Sequence, residues 1–194
     1  MKAYIDITLL PSDDIGHHFL WSKVFQQVHL ALVENKQDDG LSLYGVTFPE
    51  YNQKKPRLGR KLRVFAPDNN DLEELSLPKW LDRLHDYVHI TSIRNVPEKV
   101  DQYVRFTRLQ TKSSKERLAR RAAKRCGISY EQALQERADF HPQLNNAPFV
   151  QMKSISSGRL FRLLISMENF THPRPDTSLF NTYGLSKGTV LPKF

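Results

Sequence analysis

Arg117, Arg120, Arg121 and Lys124 recur at i, i+3, i+4 and i+7, the spacing that puts four cations on one face of a helix. Such a face repels itself when bare, so it suits a phosphate-rich partner better than plain solvent. From Arg105 to Arg125, nine basic residues, Lys112, Lys115 and Arg125 among them, stand against one acid, Glu116. That net +8 equals the formal charge of the whole 194-residue chain, so the remainder is balanced. Charge concentrated in this way marks a polyanion-binding surface, and nucleic acid is the first partner to consider. A membrane surface would want large apolar residues on the opposite helix face. Lys115–Arg125 offers only Leu118 and alanines there, which argues against it.

A second set of residues could move protons or read bases. Of seven histidines, His29 stands out because it extends the stripe Phe25–His29–Leu32 at the edge of an apolar helix face. It reads either as an ordinary boundary histidine or, given a partner surface, as a proton acceptor. Ser154 and Ser156 occupy alternate positions and so share one side of a strand. Arg159 and Arg162 bracket Phe161, an arrangement that suits base stacking beside phosphate contacts. Phe161 equally suits a core position beside Leu163 and Ile165, and both readings stay open. His85 and His89 lie in a strand-like pattern, no HExxH occurs, and no carboxylate cluster suggests a two-metal nuclease. No metal and no cofactor is therefore expected.

The elements that must position these residues follow from periodicity. Ala3–Leu10 alternates as a half-buried strand, with Asp6 and Thr8 on its polar side. His17–Val33 is an amphipathic helix, and Leu43–Phe48 and Lys61–Phe65 are strands. Asn69-Asn70-Asp71 caps a second helix that continues past Pro78 to Leu84, and Tyr87–Ile93 is a fourth strand. The order β-α-β-β-α-β predicts a ferredoxin-like arrangement over residues 1–95, within an overall α+β class. Residues 96–194 form a second α/β domain. It opens with a strand at Tyr103–Leu109, and a capping box, Ser113-x-x-Glu116, starts the arginine-rich helix. Gly127 stops that helix, and Ser129–Ala138 forms a short further one. A β-hairpin joins Phe149–Ile155 to Leu160–Ile165, and strands at Phe180–Tyr183 and Thr189–Leu191 flank a glycine-bounded loop.

Composition sets the limits. At 39% hydrophobic and 26% charged the chain is globular in character. No apolar run approaches the roughly 20 residues that span a bilayer. Asp6 and Ser12-Asp13-Asp14 interrupt any signal-peptide core. Cys126 is the only cysteine, so internal disulfides and cysteine-based zinc sites are excluded. A cytoplasmic protein without membrane attachment is expected.

Several strings, in order along nearly the whole chain, resemble one family. They are Tyr4-Ile5-Asp6-Ile7, Val28-His29-Leu30-Ala31-Leu32-Val33, Gly45-Val46-Thr47-Phe48-Pro49, and Arg108-Leu109-Gln110-Thr111-Lys112-Ser113 with Glu116-Arg117-Leu118. Pro148-Phe149-Val150 then leads to Ser154-Ile155-Ser156-Ser157-Gly158, and the tail Tyr183-Gly184-Leu185-Ser186-Lys187-Gly188 is the most specific. Together they resemble the CRISPR-associated endoribonuclease of the subtype I-F (Csy) system, which cuts precursor CRISPR RNA at each repeat hairpin.

The resemblance implies a ferredoxin-like domain at 1–95 carrying a catalytic histidine. It implies an RNA-binding domain at 96–194 with an arginine-rich helix and a serine-bearing hairpin. His29 matches the catalytic histidine, Ser154 the constrained serine and Tyr183 the supporting tyrosine. Arg120, Arg121, Lys124 and Arg125 match the helix that lies along the major groove of the hairpin stem. Ala119 and Lys124 depart from the arginine-dense pattern, and lysine keeps the charge but loses the planar fork. Arg108 and Gln110 match the base readers, and Phe161 the aromatic that caps the stem. Lys112, Arg117 and Ser156 complete the expected RNA-facing set. The implied reaction needs no metal: the ribose 2′-OH attacks its own phosphate, leaving a 2′,3′-cyclic phosphate and a 5′-OH. Implied partners are the repeat hairpin of precursor and mature CRISPR RNA and the other subunits of the type I-F surveillance complex. The alternative is a non-catalytic binder of structured RNA built on the same two domains.

Overall fold

The computed structural model describes residues 1–110, 115–139, 146–173, 180–186 and 188–194. They form two compact units, residues 1–109 with 147–194, and residues 110–146. The class is α+β.

In the larger unit the first sheet comprises β1 (Ala3–Leu9), β2 (Gly45–Thr47), β3 (Lys61–Ala66), β4 (Val88–Ile90) and β5 (Arg94–Asn95). Its order is β2-β3-β1-β4 with every neighbouring pair antiparallel, and β5 pairs with the start of β1. Helix α1 (His17–Glu34) buries Leu20, Trp21, Val24, Phe25, Val28, Ala31 and Leu32, the stripe its sequence predicts. The second helix is broken. α2 (Asn69–Leu75) is capped by Asp68, not by the three following residues: the Asp71 N–H donates to Asp68 Oδ1 at 3.1 Å, and Asp71 Oδ2 accepts in return. Ser76 then turns left-handed at φ 47°, and α3 (Leu77–Trp80) starts afresh. Pro78 is the reason, since it lacks the amide that would bond back to Glu74. A 3₁₀ turn, Asp82–Tyr87, leads into β4.

The second sheet of this unit has the order β7-β8-β6-β9, made of β6 (Gln102–Leu109), β7 (Phe149–Lys153), β8 (Leu160–Phe170) and β9 (Leu191–Lys193). The 95/96 division falls between the two sheets, yet their apolar faces share one core. Ile5, Val24, Phe25 and Leu62 pack in the same cluster as Val104, Phe106, Val150 and Leu163. Phe48 is the joint, with ring centroids 5.5 Å from Trp21, 5.9 Å from Phe25 and 5.3 Å from Phe106. The expected strand Phe180–Tyr183 is instead a turn, entered through a single bridge between Ser42 and Phe180. The last strand begins two residues later than expected.

β1 is not half-buried. Tyr4, Phe65, Phe180 and Leu191 form a smaller cluster, so the face that alternation assigns to solvent is covered by the chain's last segment. Asp6 survives there because Arg63, its cross-strand partner, donates from Nε to Oδ1 at 2.7 Å and from a terminal nitrogen to Oδ2 at 3.0 Å. The guanidinium lies against the rings of both Tyr4 and Phe194, 4.5 and 4.2 Å from their centroids. Such a pair costs more to break than it gained in forming.

The smaller unit holds α4 (Lys115–Cys126) and α5 (Tyr130–Gln135), packed through Ala119, Ala122 and Ala133. Ser129 and Gln132 form a capping box at the start of α5. The proposed cap at Ser113 lies outside the described residues. Among the described residues no helix is long and apolar enough to cross a membrane.

Arg63→Met would remove both hydrogen bonds from the Asp6 carboxylate in the covered layer and leave it only the looser Lys61 ammonium, 3.8 Å away. We expect it to cost about 3–5 kcal/mol in urea unfolding, with most of this recovered in the double replacement Asp6→Leu/Arg63→Met. A loss below about 1 kcal/mol would class the pair with weak surface bridges.

Candidate functional site

His29 sits on the buried stripe of α1 and is only 8% exposed. Its Nδ1 lies 2.7 Å from the carbonyl oxygen of Thr182. A carbonyl can only accept, so Nδ1 carries the hydrogen, and in the neutral ring Nε2 holds the free lone pair. Tyr183 stacks on the imidazole with centroids 4.2 Å apart and planes within 12°. Burial pushes the His29 pKa below its ordinary 6.5, while the Thr182 carbonyl opposes this. Burial thus favours the neutral ring, and the carbonyl selects its tautomer.

The turn that supplies both contacts is built around Asn181. Its Oδ1 accepts from the Tyr183 N–H at 2.8 Å and the Leu185 N–H at 3.3 Å, and the Gly184 N–H donates to the Asn181 carbonyl at 2.8 Å. Gly184 seats the turn on β2. Its carbonyl accepts from Val46 at 2.9 Å, its φ is +71°, and a Cβ there would come within 2.5 Å of Val46 Cγ1.

Ser154 follows the last residue of β7. Its N–H donates to the Arg159 carbonyl and its own carbonyl accepts from Gly158, both at 2.9 Å. Its Oγ lies 3.3 Å from Ser156 Oγ and accepts from the Ser157 amide at 3.3 Å. The expected strand Phe149–Ile155 ends at Lys153, so Ser154 and Ser156 do not share a strand side; they are neighbours instead because both lie in the turn at the hairpin tip. His29, Ser154, Phe161, Thr182, Tyr183 and Lys36 all line one cavity of about 300 Å³. The helix, the hairpin and the turn each contribute a functional group to it.

Phe161 is part of the core and also borders the cavity. It is half-buried and pairs with Met152 across the hairpin. The Arg108 guanidinium stands 5.5 Å from the Phe161 ring and 5.8 Å from the Tyr183 ring. Arg162 lies 4.8 Å over the Phe149 ring. Of the remaining expected RNA-facing residues, Gln110 is exposed at the first position of the smaller unit. Arg117, Arg120, Arg121, Lys124 and Arg125 are exposed on α4. Ala119, one of the two departures from the arginine-dense pattern, is fully buried against α5. A small residue there packs the helix pair. Lys112 lies outside the described residues. Among the described residues no three His, Cys, Asp or Glu side chains gather as a metal site.

Sequence reasoning missed Thr182, Asn181 and Gln26. Asn181, three residues before Gly184, carries a readable turn signal. Thr182 acts through its carbonyl, which any residue would supply. Gln26 Oε1 accepts from the Lys153 amide at 3.1 Å, a contact spanning 127 residues that no local pattern announces.

Comparison with known proteins gives a consistent answer. The family described as CRISPR-associated protein (Cas_Csy4) matches residues 4–194. A CRISPR-associated endonuclease Cas6/Csy4 of Pseudomonas aeruginosa (strain UCBPP-PA14) is 34% identical over 194 residues, covering all of both chains. A CRISPR-associated endonuclease Cas6/Csy4 of Escherichia coli (strain UTI89 / UPEC) is 31% identical over 194 residues, again covering both chains completely. With a match of this extent and relatives that share its full length, this chain belongs to the Cas_Csy4 family of CRISPR-associated proteins.

Proposed function

We propose that this protein is an endoribonuclease that cleaves precursor CRISPR RNA at its repeat hairpins without a metal ion and keeps hold of the product hairpin. The observation that carries this reading is the shared cavity of His29 and Ser154, with the imidazole fixed so that Nε2 is the basic nitrogen. Membership of a family with named endonucleases supports the activity.

The RNA supplies its own nucleophile. His29 Nε2 takes the proton of the 2′-OH as that oxygen bonds to the adjacent phosphorus, and the bond from phosphorus to the 5′ oxygen breaks. The products are a 2′,3′-cyclic phosphate and a 5′-OH, once the leaving oxygen has gained a proton. Ser154 Oγ holds the 2′-OH and the ribose for in-line attack, a contribution of placement. Thr182 and Tyr183 fix the imidazole from its edge and its face. Phe161 offers the stem's end a stacking surface, with Arg108 and Gln110 reading bases. The cations of α4 bind the stem's phosphates. DNA, lacking the 2′-OH, should bind without being cut.

The first sheet we read as ferredoxin-like, on the strength of its antiparallel β2-β3-β1-β4 order with α1 and α2 in the connections. Residues 1–95 then carry the base, and residues 96–194 carry the serine hairpin and the RNA-facing residues. Other subunits of a type I-F surveillance complex are proposed partners of the RNA-bound form.

His29→Ala should bind the repeat hairpin within a few-fold of the parent. Its single-turnover cleavage should fall on the order of 10²–10⁴-fold, the range expected for a general base. Near-parental cleavage would remove His29 from the mechanism. The pH dependence has a definite sign, because a base works unprotonated and burial lowers this one. The cleavage rate at subsaturating protein should rise with pH and level off, with its inflection below 6.5. An inflection above 7 would contradict a buried neutral imidazole.

A further inference from the structure

Gln26 and His29 are three residues apart on α1, so they project from one face of the helix, one turn apart. Strand β7, which ends one residue before Ser154, is the edge of its sheet. Antiparallel pairing alternates the direction of successive amides along such a strand. The Ser154 N–H points inward to the Arg159 carbonyl, so the Lys153 N–H points away from β8. There it would lack a strand partner, but Gln26 Oε1 accepts it at 3.1 Å. β7 is tied at this end to the helix that carries His29.

We infer that Gln26 is a positioning residue for cleavage: its side-chain amide pins the Lys153 backbone to α1 and so sets where Ser154 stands relative to His29. This rests on the endoribonuclease reading above. Among the described residues, the hydrogen bonds of the tip past Lys153 run within the tip, through Gly158, Ser157 and Arg159, and fix its shape. One polar bond from α1 then has unusual leverage over the cavity. Catalysis by placement is sensitive to shifts of this size, since about 1 Å of misplacement can cost on the order of 10²-fold in rate.

The test is single-turnover cleavage of a repeat hairpin RNA at saturating protein, alongside hairpin affinity and thermal melting. Gln26→Met, which keeps the length and loses the acceptor, is expected to slow cleavage about tenfold with affinity within about threefold. Gln26→Glu keeps an acceptor oxygen and should recover the rate to within about threefold of the parent. A residue that acts through Ser154 should lose its influence when Ser154 is absent. In a Ser154→Ala background Gln26→Met should therefore add less than about twofold, whereas a full tenfold further loss would show independent action and overturn the proposal. An unchanged rate for Gln26→Met, in a protein whose parent cleaves normally, would overturn it alone. Failure of the parent to cleave would overturn the endoribonuclease reading and this proposal with it. Should Gln26→Met not fold, amide exchange in the parent decides. A protected Lys153 N–H is required, and rapid exchange would contradict the anchor.

Discussion

The hydrogen bond from His29 Nδ1 to the Thr182 carbonyl joins two parts of the chain that are 153 residues apart, and the organisation of the site follows from it. An imidazole on a buried helix face has two nitrogens and no inherent preference between them. A carbonyl at 2.7 Å removes the ambiguity, because it accepts and cannot donate. For that carbonyl to be present, the chain must reverse at 181–185 and rest against β2. Asn181 supplies the reversal and Gly184 the close approach to Val46. The packing of both sheets into one core through Phe48 brings the hairpin serine to the same cavity.

The site and the charge are built separately. The larger unit contains the cavity and most of the apolar core. The smaller unit contributes exposed cations on a helix whose buried side is only alanines. That economy fits an element whose outer face is for a polyanion: small residues let two short helices pack, and the long side chains stay in water. Under the proposed function, affinity and chemistry then rest on different residues. Removing the base should leave the RNA bound.

Much of this was legible in the sequence where a short-range pattern determines the outcome. α1 is read correctly because its stripe recurs every three to four residues, and the serine hairpin because alternation and Gly158 are local signals. What escaped depends on distant partners. Asp6 marks a polar face in isolation, but Arg63, 57 residues later, allows that face to be covered. Phe180 and Tyr183 are strand-favouring types, yet Asn181 and Gly184 bend the backbone between and after them. The helix break at Ser76 follows from Pro78, whose effect is felt before it rather than at it. His29 was ambiguous in the sequence because its supporting group is a main-chain oxygen with no identity to read. Its proposed role rests on resemblance together with the tautomer that the Thr182 carbonyl selects.

The most direct measurement is end-group analysis of the fragments from a repeat hairpin transcript, cleaved with and without excess EDTA. The account requires undiminished cleavage in EDTA and fragments ending in a 2′,3′-cyclic phosphate and a 5′-OH. Loss of activity in EDTA, or fragments with a 3′-OH and a 5′-phosphate, would mean that water or a metal-bound nucleophile attacks from outside the RNA, and the central claim would fall.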